Sequence, residues 1–141
     1  MNLSQEKMVL LLKDRQIKAT SKRMEVLTLI ANYNSAIPYS SLQKSLQGFD
    51  RVTLYRTLNT LLDGGVIHKA SVSTDEVYYA MCRHYCTSEK HHHKHIHFKC
   101  TACKSVSCVE TTSPISIEVP NASVQEIEIE VKGICETCLQ V

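Results

Sequence analysis

No apolar run in this chain approaches the roughly 20 residues that a membrane-spanning helix needs. Acidic and amide residues precede the short apolar patch of MNLSQEKMVLLLKDR, so no signal peptide is expected. There is no internal repeat, which argues against a solenoid or an array. The seven cysteines do not make an even set, so a complete disulfide framework is not expected and a reducing compartment is. Carboxylates are also scarce where histidines and cysteines are dense: Glu89 and Glu110 are the only ones close by in sequence. With no open three-ligand site beside a placed general base, a zinc hydrolase is disfavoured, and no enzymatic activity or small-molecule substrate is expected.

What the chain does have is concentrated in His91–Cys103, which reads HHHKHIHFKCTAC and holds five histidines and two cysteines in thirteen residues. Imidazole and thiolate are the side chains that zinc and its neighbours in the transition series take best. The segment ends in Cys100-x-x-Cys103, and Cys135-x-x-Cys138 follows near the C-terminus. Each CxxC places two thiolates on one tight turn, and two such turns brought together make a tetrahedron, so a structural four-cysteine zinc site on Cys100, Cys103, Cys135 and Cys138 is expected. The alternatives are buried cysteines or a redox pair. Charge divides along the chain: residues 1–72 carry ten Lys/Arg against five Asp/Glu, and residues 73–141 carry six against nine. A basic half joined to an acidic, metal-rich half suggests a nucleic-acid module plus a sensing or assembly module. Ordinary surface variation is the competing explanation.

With 141 residues and 43% hydrophobic side chains, the chain has room for one domain or two small ones with real cores. Ser4 is placed to cap a helix through about Asp14 with Met8, Leu11 and Leu12 on one face. Thr20 or Ser21 caps a second helix to Asn32, with Met24, Leu27 and Ile30 as its stripe. A short third helix runs from Ser40 to Leu46. Asp50 caps a fourth, Arg51 to about Asp63, which buries Leu54, Leu58, Leu61 and Leu62 and shows Thr53, Arg56, Thr57 and Thr60 on the opposite side; Gly64-Gly65 stops it. Residues 66–70 and 77–80 then read as a two-stranded hairpin around Ser73-Thr74-Asp75. Helices followed by a hairpin are the winged helix-turn-helix layout. In the second half, residues 96–99, 106–109 and 115–119 are strand candidates, and QEIEIEV at 125–131 alternates most strictly. The fold class is therefore α+β: a winged helix-turn-helix domain over 1–81, then a small β-rich domain over 82–141.

Five stretches in this order resemble the ferric uptake regulator (Fur) family of metal-dependent repressors. Thr20-Ser21-Lys22-Arg23, within Lys18–Arg23, is similar to the family's T-x-x-R start of the second helix. Val52-Thr53-Leu54-Tyr55-Arg56-Thr57-Leu58 is similar to its T-V-Y-R-x-L recognition helix. Gly65-Val66-Ile67 resembles the approach to the wing. His95-x-His97-x-x-Cys100-x-x-Cys103 resembles its H-x-H-x-x-C-x-x-C core, and Gly133-Ile134-Cys135-Glu136-Thr137-Cys138 its closing G-x-C-x-x-C. The resemblance covers nearly the whole chain and is nearest the zinc uptake regulator type.

The resemblance implies a cytoplasmic homodimer that binds double-stranded DNA at a palindromic operator, with dimerisation through the C-terminal domain and no membrane partner. It implies structural Zn2+ on the four CxxC cysteines and a second, exchangeable regulatory metal, zinc with ferrous iron as the alternative, that switches DNA affinity. For that regulatory site, the zinc-sensing branch points to His68 in the wing, Cys82 at the hinge, and His95 and His97 of the H-x-H. The competing reading of His68 is a solvated wing residue. Cys108 stands where family members often carry a carboxylate ligand; it either replaces one histidine or is a small buried residue. His93 and Glu89 are further candidate ligands, within a segment that with His84, Cys86, His91 and His92 forms either an extra site or a solvated loop. A third family site is not expected, because Lys94 and Ile96 flank the H-x-H histidines and Ala36-Ile37-Pro38 stands where a histidine is usual. Tyr55 and Arg56 take the family's DNA-contacting positions, with Thr53 and Thr57 beside them. Lys18 and Arg23, together with Lys13, Arg15 and Lys22, are placed to reach phosphates, and Arg23 has a structural ion pair as its alternative. A metallochaperone would explain the histidine tract but not Val52–Leu58.

Overall fold

The computed structural model describes residues 3–72, 76–82, 95–110, 116–125, 127 and 129–140, with Ser71, Val72, His95 and Glu110 described by their backbone alone. Its first half is built on three capped helices. Ser4 caps α1 (Gln5–Asp14) by accepting from the Lys7 N–H. Thr20 caps α2 (Ser21–Asn32) through the Arg23 N–H. Asp50 caps α4 (Arg51–Asp63) by accepting from the Thr53 N–H at 2.7 Å, a bond that also holds its carboxyl below the usual carboxylate range. The short α3 (Tyr39–Ser45) lies between the last two. Leu12, Leu27, Leu42, Leu58, Leu61 and Ile67 are fully buried in one core that all four helices share. At roughly 1.5–3 kcal/mol for each such side chain, this cluster is the main stabilising term of the helical half.

Gly64 ends α4 and Gly65 follows at φ 72°, a left-handed conformation that an L side chain resists. The chain then enters β2 (Ile67–Val72), which pairs antiparallel with β3 (Val77–Met81). The wing is not the two-stranded hairpin expected from sequence. Ile37–Pro38 forms β1, and the sheet has the order β1-β3-β2. A two-residue strand containing proline reads as loop, yet proline is tolerated on an edge strand, where its missing N–H is not needed.

The second sheet has the order β5-β4-β6. β4 (His95–Cys100) pairs antiparallel with β5 (Val106–Glu110) and parallel with β6 (Glu130–Gly133). β6 is shorter than the alternation over 125–131 suggested: its ladder with β4 begins at the His97–Glu130 pair, and Gln125, Ile127 and Ile129 are not in strand. The strand expected over 115–119 is likewise not formed at 116–119; alternation alone leaves the backbone without a neighbouring ladder, and Ile117 and Val119 are exposed. One short helix, α5 (Glu136–Leu139), closes the chain.

The two halves meet along a small apolar seam of Ala36, Ala70, Tyr78 and Val106. The Ala36 N–H donates to the Val106 carbonyl at 2.7 Å, and the Tyr78 hydroxyl donates to the Lys104 carbonyl. This seam brings the wing face that carries His68 up against the face of the second sheet that carries His97 and Cys108.

Candidate functional site

Two groups of metal-ligating side chains stand out among the described residues. The first is formed by the four cysteines. Cys100 is the last residue of β4, and the turn after it returns Cys103 to its side; the Lys104 N–H closes the turn on the Cys100 carbonyl at 2.9 Å, and Lys104 itself has φ 66°. Cys135 is the N-cap of α5 and Cys138 lies within it. The Thr101 N–H donates to the Gly133 carbonyl at 2.8 Å, clipping one CxxC segment to the other. Gly133 leaves room for the Phe98 ring: a Cβ would stand 3.2 Å from it, a tight contact.

All four sulfurs lie within 4.8 Å of one another. A tetrahedron with zinc–sulfur distances of about 2.3 Å has edges of about 3.8 Å; the Cys103–Cys135 sulfur separation is 3.9 Å. Cys100 is fully buried, and its sulfur accepts from the N–H groups of Cys103 and Cys135. Those bonds, the Cys103 N–H foremost, bring its pKa down to about 6. The Ser105 hydroxyl lowers that of Cys103. Cys138, hydrogen-bonded to Cys135, is pushed up to about 12. The group thus favours thiolate at one corner and a proton at another, and its all-sulfur donor set fits a thiophilic cation.

The second group is His68, His97 and Cys108. His97 and Cys108 are direct cross-strand partners on β4 and β5, so their side chains share a face. His68 comes from β2. Only 7% exposed, it is not a solvated wing residue. Its ring stacks on that of His97, with centroids 5.2 Å apart and planes at 22°. The Nε2 atoms of the two rings are 3.2 Å apart, and the Cys108 sulfur is 3.6 Å from His68 Nε2. Zinc–nitrogen and zinc–sulfur distances of about 2.05 and 2.3 Å imply tetrahedral edges of about 3.3 Å between nitrogens and about 3.6 Å between nitrogen and sulfur. Both separations therefore fit two imidazoles and one thiolate on a single zinc-sized ion.

The sequence-based ligand set maps onto this cluster in part. His68 and His97 are in it, and Cys108 is a member rather than merely a small buried residue. Cys82 lies 3.6 Å from His68 Nδ1, the ring nitrogen turned away from the cluster, and its own N–H is held by the Val66 carbonyl. Cys82 thus meets the other nitrogen of the His68 ring and is not a member of the three-donor group. Strand alternation puts His95 on the face of His97, but its side chain is not described. Glu89, His93 and the rest of the 84–93 segment lie outside the described residues.

On α4, Tyr55 and Arg56 are exposed and Thr53 is half-buried. Thr57 does not join them. It is 7% exposed and its hydroxyl donates to the Thr53 carbonyl, because its helical position lies about 40° from the buried Leu61, at the edge of the leucine stripe. Lys18 is exposed, while Arg23 is half-buried and donates to the Lys18 carbonyl at 2.9 Å. Arg15 donates to the carbonyls of Gly64 and Gly65, so its role is to cap the end of α4. Sequence reasoning missed Val52, an exposed apolar side chain amid this face; its position off the leucine stripe was the available signal.

Comparison with known proteins agrees with this architecture. The pattern described as the ferric uptake regulator family matches residues 14–133. A ferric uptake regulation protein of Staphylococcus aureus is 24% identical over 134 residues, covering 91% of this chain and 93% of that protein. Its counterpart in Staphylococcus epidermidis is 25% identical, covering 91% of each. Among solved structures, one described as holo XcZur matches with a TM-score of 0.69 at 20% identity, covering 97% of both chains. A zinc uptake regulator complexed with zinc and DNA matches at 0.68 and 21% identity, covering 99% of this chain and 97% of the other. At these identities the structural likeness is one of fold. With the family pattern spanning both the winged helices and the cysteine-bearing sheet, the chain belongs to the ferric uptake regulator family.

Proposed function

We propose that this chain is a metal-responsive, DNA-binding transcriptional repressor that senses zinc and controls metal-uptake genes. One observation carries the reading: His68, on the wing sheet, has its Nε2 at tetrahedral-edge distance from donors of His97 and Cys108 on the other sheet. An ion held there ties the wing to the second half of the chain. His68, His97 and Cys108 hold it, with His95, His93 and Glu89 the candidates for its remaining position, and Cys82 orients the His68 ring. Cys100, Cys103, Cys135 and Cys138 hold a structural zinc. Bound zinc supplies a fixed tetrahedral centre without redox chemistry.

In this reading residues 1–81 bind DNA and residues 82–141 bind metal and dimerise. A homodimer presents two α4 helices to a palindromic operator, where Tyr55, Arg56 and Thr53 face the bases and Lys18 faces phosphate. Metal shifts the population toward the arrangement that fits DNA. The solved relative complexed with zinc and DNA supports this assignment, and the relatives named for ferric uptake make iron the alternative.

The test is binding to duplexes selected from a random pool, using chelator-treated protein against buffered free zinc and, anaerobically, free ferrous iron. Zinc is expected to restore binding at the lower free concentration. Activation by iron first overturns the zinc assignment, and failure of both metals overturns the repressor.

A further inference from the structure

The exposed arc of α4 carries an apolar side chain among polar ones. Val52 is 57% exposed and Tyr55 64%, the one three residues after the other. With about 100° of rotation per residue, Val52, Tyr55, Arg56 and Asn59 fall within one arc of roughly 100°, and Val52 lies near its middle. Nearby polar groups are already engaged. The Thr57 hydroxyl donates to the Thr53 carbonyl, the Thr60 hydroxyl to the Arg56 carbonyl, and the Asp50 carboxylate accepts from the Thr53 N–H. What faces outward at the start of the helix is an isopropyl group flanked by a phenol and by the exposed guanidinium side chains of Arg51 and Arg56.

Given the repressor reading, on which this inference rests, that arc enters a major groove lined by base edges. There an isopropyl group meets donors and acceptors at adenine, guanine and cytosine, and would bury them without a partner. Thymine alone offers an apolar group, its 5-methyl. We propose that Val52 is a specificity-determining residue that reads thymine, packing its isopropyl group, with the edge of Tyr55 alongside, against the 5-methyl of one thymine in each half-site. Arg51 and Arg56 flank the contact with positive charge that suits the phosphates and guanine edges on either side.

Deoxyuridine tests this directly, because it lacks only the methyl and keeps every hydrogen-bonding group of thymine. Duplexes enriched from a random pool by the zinc-loaded full chain are resynthesised with each thymine replaced in turn. At one thymine per half-site the replacement should weaken wild-type binding roughly fourfold, the worth of one buried methyl. Val52→Ala, at an exposed site that leaves the core untouched, should bind the thymine duplex more weakly and lose its sensitivity to that replacement. Loss of sensitivity at that position and at no other supports the contact. Equal uracil penalties in wild type and Val52→Ala overturn it while leaving the repressor reading intact. No zinc-dependent enrichment of any duplex overturns the repressor reading, and this inference with it.

Discussion

The two metal-ligating groups differ in what they join. The four-cysteine group is local to the second sheet: its CxxC turns hang from β4 and β6 and are clipped by the Thr101–Gly133 hydrogen bond. It is all sulfur, and an ion in it has four protein donors and no open position. The His68–His97–Cys108 group draws on two sheets, mixes nitrogen with sulfur, and has three donors among the described residues. A closed set on one sheet is suited to holding structure. A three-donor set across a small seam is suited to exchange, because losing the ion costs the contact between halves without dismantling either.

The comparison breaks most severely at the cysteines. Cys135→Ser should release about one zinc per chain and unfold the second half, since structural zinc in small sites carries on the order of 10–16 kcal/mol of folding free energy. Metal analysis together with thermal unfolding checks this; a folded variant with unchanged zinc would remove the distinction between the groups.

Cys108→Ser should keep the structural zinc and the fold yet raise the free zinc needed for DNA binding by more than about 100-fold, beyond the roughly 10–100-fold that loss of an outer-shell partner brings. Cys82→Ser should fall within that smaller range. Titration of both variants against buffered zinc sharpens the contrast between ligand and orienting residue, and the reverse ranking would make Cys82 the ligand.

Arg56→Ala should weaken operator binding by roughly 1–3 kcal/mol without altering the zinc content of either group. Equilibrium binding beside metal analysis would show whether the reading face and the metal groups are separable.

The most gradual effect is that of pH on the four-cysteine group. Cys100, drawn down to about 6, is thiolate above that pH and is protonated as pH falls through it. Cys138, pushed up to about 12, keeps its proton through neutrality, so zinc must displace it. Affinity should therefore rise with pH, about tenfold per pH unit for each proton displaced. Competition with a chromophoric chelator between pH 6 and 8 measures the slope, and a flat profile would contradict the protonation pattern.

Much of this arrangement was legible in the sequence because it rests on local chemistry. Ser4, Thr20 and Asp50 announce their helices through side-chain caps, and α4 was bounded correctly by Asp50 and Gly64. The CxxC spacing was enough to gather four thiols. What escaped depends on neighbours distant in sequence. Ile37–Pro38 becomes strand only because β3 lies beside it, and residues 116–119 stay out of a sheet despite their alternation. The His68–His97–Cys108 group shows the same boundary. His97 was evident from its motif, but Cys108 becomes its partner through β-register, and Cys82 is set apart by which nitrogen of His68 it meets.

The Arg15 guanidinium, bound to the carbonyls of Gly64 and Gly65, has a mechanical consequence. It pins the end of α1 to the joint between α4 and the wing, and His68 follows that joint by three residues, of which Val66 and Ile67 are buried. A displacement of His68 has little slack in which to dissipate before it reaches the base of α4. Thirteen residues make α4 a rod of about 20 Å. A tilt of about 5° at the pinned end swings the far end, where Val52 and Tyr55 sit, by close to 2 Å. That is comparable to the margin between a hydrogen bond made and one missed, so in the repressor reading the wing would be the short arm of a lever whose long arm meets the bases.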